Sequence, residues 1–286
     1  MIDLLVDPFT YVFMQRALAI AVVAALVCAV LSCWLVHLGW SLMGDAISHA
    51  VLPGVALAYI VGWPFAVGAV VFALLAVVLI GAVRTTSIIT EDTAMGVVFT
   101  GLFASGLVLI SVYPSEVDVT HVLFGNILGV TASDLIQVVV IALIVLAVLL
   151  VWRADFTLFA FDPVYAAAIG LRVGVLRWVL LGALALTTVA ALQAVGVILV
   201  VALLITPGAT ALLWTRNFRT MLVLAPIVSV SSALVGLYAS YYADVSSGAA
   251  IVVVLCIHFV VAWIAGPRQG LRQWAATKRS RRLLAG

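Results

Sequence analysis

Asp45 and His49 lie four residues apart in the stretch Ser41-Leu42-Met43-Gly44-Asp45-Ala46-Ile47-Ser48-His49-Ala50-Val51-Leu52-Pro53-Gly54. In a helix this spacing puts a carboxylate and an imidazole on one face, one above the other. An oxygen and a nitrogen ligand so placed can grip a divalent metal ion together. They can equally do no more than hydrogen-bond to each other and fix a helix contact, and residue types alone leave both readings open. The surroundings weigh toward a site, because the flanking chain is apolar. Ionisable groups inside a bilayer helix are costly to hold there and face a cavity or a partner.

The elements that must carry this pair follow from composition. The chain has 286 residues, of which 67% are hydrophobic and 8% charged, with a mean hydropathy of +1.38. A soluble domain carries about 25% charge, so this chain is an all-α, polytopic helical integral membrane protein. A transmembrane barrel would show short alternating segments in place of long apolar runs. Nine runs, near 14–37, 43–62, 65–84, 93–112, 134–152, 175–194, 197–214, 220–241 and 247–265, predict eight or nine spans. A turn near Gln193–Gly196 leaves room for one of its two neighbouring spans to be broken or re-entrant. Residues 1–266 form one transmembrane domain in this reading, and 267–286 a basic tail suited to anionic lipid rather than nucleic acid. Cys28, Cys33 and Cys256 all fall in apolar runs and are expected to pack as small hydrophobes.

Charge placement gives direction. With nine spans, twelve of the thirteen basic residues fall on one side, the exception being Arg16. The positive-inside rule then sets the N-terminus outside and the C-terminus in the cytoplasm. The acidic N-terminus lacks the positive segment of a cleavable signal, so the first helix is expected to be retained. Trp63 would mark the outer interface, and Trp40, Trp152, Trp214 and Trp263 the inner one. Counted inward from Trp40, Asp45 lies roughly 8 Å deep and His49 roughly 13 Å deep.

Two connections are long enough to hold structure. The outer one carries Glu116, Asp118, His121 and Asn126, a polar loop that could receive a cation or touch a delivery protein, and its apolar middle predicts packing on the bundle. The inner one contains Asp162-Pro163-Val164-Tyr165-Ala166-Ala167-Ala168-Ile169-Gly170. Asp162 suits an N-cap, Pro163 the first helical position and Gly170 the stop, which predicts a two-turn surface helix offered to a partner. Pro53-Gly54 and Pro207-Gly208 would act as helix breakers in spans two and seven, a pairing that hints at discontinuous helices at a transport site, though ordinary helix kinks explain it equally well. His258, without a carboxylate neighbour, is expected to bond a neighbouring helix, and Glu91 and Asp92 to start span four.

Ligand counting speaks to assembly. Transition metals take four to six ligands, and the motif supplies two. A homodimer with span two near its axis would double the set, and two-fold dimers are the commonest oligomers. Absences also inform: there is no phosphate-binding G-x-x-x-x-G-K-[ST] loop, HExxH or CxxC, and Lys278 is the only lysine. The chain is therefore expected to be no enzyme, to hold no tight cofactor and to draw its energy from elsewhere.

The stretch Ser41–Gly54, together with Leu123-Phe124-Gly125-Asn126-Ile127-Leu128 and Leu204-Ile205-Thr206-Pro207-Gly208-Ala209-Thr210-Ala211, resembles the signature of permeases from ABC-type manganese, zinc and iron importers. The resemblance covers nearly the whole chain. It implies a homodimer in a bacterial plasma membrane, two cytoplasmic ATPase subunits and an extracytoplasmic solute-binding protein. By the same resemblance Asp45 and His49 are the cation-coordinating pair and Asp162–Gly170 is the coupling helix. The form around His121 and Asn126 is more like the manganese and iron branch than the zinc one. Transport would proceed by alternating access. Two rivals remain: a permease for a metal chelate such as a siderophore or cobalamin, and a secondary carrier that works without ATP.

Overall fold

The computed structural model describes residues 10–113 and 127–267. Glu116, Asp118, His121 and Asn126, and the basic tail beyond Pro267, lie outside the described residues. Nine helical segments in the described residues are long and apolar enough to cross a membrane. They comprise α1 (Val12–Leu38), the pair α2 (Met43–Ala50) and α3 (Leu52–Val61), α4 (Phe65–Thr86) and α5 (Glu91–Val112). After a short 3-10 turn (Ile127–Gly129) come α6 (Ala132–Val151) and two short helices, α7 (Arg153–Phe161) and α8 (Pro163–Ala168). The remaining spans are α9 (Val173–Val195), α10 (Val197–Trp214), α11 (Phe218–Ala243) and α12 (Ser247–Ala265).

Helix α1 is the axle of the bundle, with α6, α9, α10 and α11 packed around it. Its buried positions Ala17, Ala21, Ala24, Ala25 and Ala29 explain why. Lipid tails are as apolar as any side chain, so association in a bilayer rests on close packing, which small residues permit. Ile127 and Val130 are buried and the 3-10 turn leans on α1, while the rest of the apolar middle of the outer connection lies outside the described residues. The second group, α2–α5, is joined to the first mainly through α9 and α10, which both touch α2. Helix α2, which carries Asp45 and His49, thus stands at the seam between the two groups.

Local signals stop α1 where the motif must begin. Gly39 adopts φ +73°, its N–H reaching the Val36 carbonyl while that of Trp40 reaches Leu35 at 2.8 Å. This paired closure satisfies the last carbonyls and needs a residue without a Cβ at the left-handed position. The chain then turns at once into α2.

The proline pairs behave differently from the expectation of two matched breaks. Span two does divide, but at Val51, with Pro53 and Gly54 already inside α3. Pro53 has no N–H for the carbonyl of His49 four residues earlier, and that carbonyl takes the N–H of Val51 instead. Span seven does not divide at all: α10 runs unbroken through Pro207 and Gly208. Gly208 is a packing residue, because a Cβ there would stand 2.7 Å from the carbonyl oxygen of Ser32 on α1. Spans six and seven are separate helices joined by Gly196 alone, at φ +83°.

Two further expectations change. Trp40 is buried rather than facing lipid, since its ring meets Phe159 edge-on at 6.3 Å and carries the Arg177 guanidinium 5.7 Å above it. Trp63, Trp152, Trp214 and Trp263 are exposed, as a belt requires. Cys28 and Cys33 are buried, whereas Cys256 is exposed on the outside of α12. His258 does bond a neighbouring helix: its Nδ1 lies 3.0 Å from Ser232 Oγ on α11.

Candidate metal site

Asp45 occupies the first turn of α2, where the helix dipole and free N–H groups favour a negative charge. His49 stands one turn above it, and its Nε2 lies 3.4 Å from Asp45 Oδ1. Both side chains are partly open, with 26% of His49 and 35% of Asp45 exposed, so a ligand can reach the pair without unpacking the helix. The rest of α2 is fixed from behind. Met43, Gly44, Ala46, Ile47 and Ser48 are buried, and Ser48 Oγ donates to the Gly44 carbonyl at 2.8 Å.

The separation is itself a metal bite. An ion bound to nitrogen and oxygen at about 2.0–2.2 Å, with angles between octahedral and tetrahedral, holds the two donors roughly 3.0–3.4 Å apart. The spacing is compatible with a divalent ion held by both groups, and Asp45 and His49 are also within reach of each other.

An aromatic wall completes the site. Phe103 meets the His49 ring edge-on at 5.2 Å and Phe99 lies 6.0 Å away, both from α5. These phenylalanines repeat the four-residue spacing of the Asp–His pair on the helix that faces it. That spacing was the signal in the sequence, and reading ionisable residues alone passes over it. Above them a small cleft of about 10 Å³, the space of one water molecule, is lined by Ser48, His49, Val51, Leu52, Phe103 and Leu192 among others. At the foot of α2, Arg84 of α4 pairs with Glu91 of α5 at 3.1 Å.

Among the described residues no group of three or more His, Cys, Asp or Glu side chains comes together. Asp45 and His49 are thus brought together with each other and with no third ligand of those types in the described part of the chain. Asp162–Gly170 forms α8 and its two caps, on the same end of the bundle as Trp40, whose ring meets Phe159 of α7. There Asp162 Oδ1 accepts the Tyr165 N–H at 2.9 Å, Pro163 opens the helix and Gly170 closes it at φ +91°. Ala166 is buried and anchors α8, while Val164, Tyr165 and Ile169 are exposed.

Comparison with known proteins matches residues 10–266 to a family model described as the ABC 3 transport family. The manganese transport system membrane protein MntB of Synechocystis is 50% identical over 276 residues, spanning 96% of this chain and 90% of that protein. The chelated iron transport system membrane protein YfeD of Yersinia pestis is 50% identical over 262 residues, spanning 92% and 88%. Among solved structures, PsaBC from Streptococcus pneumoniae in complex with Fab superposes with a TM-score of 0.85 at 38% identity, covering 94% of this chain and 98% of that one. An inward-facing putative metal-chelate type ABC transporter shares the fold, with a TM-score of 0.71 at 17% identity over 87% and 85%.

Proposed function

The chain belongs to the ABC 3 transport family, and from that premise we propose that it is the membrane permease of an ATP-driven importer of divalent transition-metal ions, with manganese as the main cargo. The observation that carries the reading is the Asp45–His49 pair, held 3.4 Å apart at a partly open face of α2. Imidazole and carboxylate suit manganese, iron and zinc alike. The preference for manganese is supported by relatives such as MntB, and iron by YfeD.

The permease works as a homodimer. One chain supplies two ligands where a transition metal wants four to six, and a second copy facing the open side of α2 would double them. A loosely held ion also suits transport, because conduction needs binding weak enough to release. Two cytoplasmic ATPase subunits supply the energy, and an extracytoplasmic binding protein delivers the ion. The basic ends of the spans, carrying Arg84, Arg153, Arg172, Arg177, Arg216 and Arg219, face the cytoplasm of a bacterial plasma membrane.

On that side α8 is the coupling helix. Its exposed Val164, Tyr165 and Ile169 offer an apolar contact to the ATPase, and buried Ala166 ties movement of α8 to α7 and so to α1. Asp162→Ala removes the N-cap, a loss of about 1 kcal/mol. Metal-stimulated ATP hydrolysis by the complex is expected to fall roughly fivefold, the factor which that energy yields. Basal hydrolysis by the isolated ATPase stays unchanged.

A metal chelate is the rival cargo. A carboxylate and an imidazole suit a bare ion better than a chelate, whose own donors already occupy the metal. The test is ATP hydrolysis by the complex reconstituted with its binding protein, titrated with free manganese, iron and zinc. Stimulation by free manganese is expected. Stimulation only by a chelated metal would overturn the proposal.

A further inference from the structure

We propose that the groove between α7 and α11 is a binding site for one anionic phospholipid. The groove is half open, has a volume of about 820 Å³ and is lined by Leu150, Arg153, Thr157, Phe161, Arg219 and Leu222, among others. Its volume falls within the range of about 300–1,000 Å³ typical of sites that bury a ligand.

The lining is graded in polarity along its length. Arg153 and Thr157 of α7 face Asn217 and Arg219 at the start of α11, so one end presents two guanidinium groups. Neither arginine forms an ion pair among the described residues. The other end runs up the last turn of α6 at Leu150 and the second turn of α11 at Leu222 and Val223, and is wholly apolar. The phosphate of a lipid headgroup between two arginines takes charge-assisted, bidentate hydrogen bonds. The acyl chain then follows Leu150, Leu222 and Val223 into the bilayer.

A second observation sets the depth. Trp152 immediately precedes Arg153, and Trp214 lies three residues before Asn217; both are exposed. Exposed tryptophans at span ends sit at the level of the headgroups, so the charged mouth of the groove stands where lipid phosphates are. Basic sites between helices on the cytoplasmic side select anionic headgroups. The bottom of the groove is closed by Phe161 and Phe218, whose rings stand 5.8 Å apart and enclose His37 of α1. Phe161 directly precedes Asp162, so a lipid in the groove bridges α7 and α11 beside α8.

The test is native mass spectrometry of the whole complex, purified from nanodiscs of phosphatidylglycerol and phosphatidylcholine in equal amounts. The wild type is expected to retain phosphatidylglycerol over phosphatidylcholine by about fivefold or more. Arg153→Ala with Arg219→Ala is expected to bring that ratio to parity, and the double lysine variant to keep most of it. Thr157→Trp fills the groove with both arginines in place, and is expected to lose the lipid too. Three outcomes would overturn the proposal: no headgroup preference in the wild type, retention unchanged in both the double alanine variant and Thr157→Trp, or loss of the ATPase subunits with lipid retention intact. The last would assign the groove to the ATPase. None of these readings depends on which metal is carried.

Discussion

Alanine at either Asp45 or His49 is expected to abolish uptake of radiolabelled manganese, with a drop of at least about 100-fold, while the transporter still assembles. Loss of a partner merely adjoining a metal ligand costs about 10–100-fold, and the proposed function makes these two residues the ligands themselves. Assembly survives because both side chains lie on the open face of α2, whereas Met43, Ala46, Ile47 and Ser48 hold the buried one. Asp45→Asn separates charge from shape: it keeps an oxygen but loses the carboxylate, and should still transport far less than wild type. Uptake is measured in vesicles with ATP inside, and assembly by co-purification of the ATPase. Normal uptake by either alanine variant removes the pair from the transport path.

The second large effect comes from a glycine without chemistry of its own. A Cβ built on Gly54 would collide with the backbone carbonyl of Gly68, and one on Gly68 with that of Gly54. Helices α3 and α4 therefore cross backbone to backbone, and Gly106 of α5 approaches Pro53 from another side, with a Cβ there 2.8 Å from the Pro53 nitrogen. Overpacking a tight site costs about 1–3 kcal/mol even when side chains can yield, and here no side chain is available to move. Gly54→Val is expected to lower the melting temperature of the detergent-purified complex sharply and to cut its yield. Gly44→Ala is the contrast. Its new methyl meets the tip of Leu204, at 2.7 Å from Cδ1, a flexible end that can rotate away. That variant should assemble near wild-type levels. Equal behaviour of the two would show that the crossing does not fix span two.

This packing also explains which features could be read in the sequence. The nine spans were legible because a bilayer demands uninterrupted apolar runs, and each expected span falls within a few residues of an observed helix. The α8 cap was legible because Asp162, Pro163 and Gly170 act through local backbone chemistry. The breaks were not, since both prolines lack the N–H for the carbonyl four residues back, and only the packing of neighbouring helices decides whether the helix divides there. Pro207 is buried within a continuous α10, whereas the division in span two falls at Val51, beside the α5 crossing. Trp40 was misplaced for a similar reason, as a tryptophan at a helix end looks alike whether it meets lipid or an arginine. In the site, Asp45 and His49 stood out by charge. Phe99 and Phe103 did not, because on an apolar helix nothing but spacing distinguishes a ring that faces lipid from one that faces a histidine.

In the proposed function the imidazole of His49 touches the transported ion. Manganese(II) is paramagnetic, so pulsed electron paramagnetic resonance of the ion bound to the whole complex detects a coordinated nitrogen directly. A nitrogen coupling in the wild type, absent in His49→Ala, is the predicted result. Bound manganese with no such coupling in the wild type, or with the same coupling in His49→Ala, would contradict it.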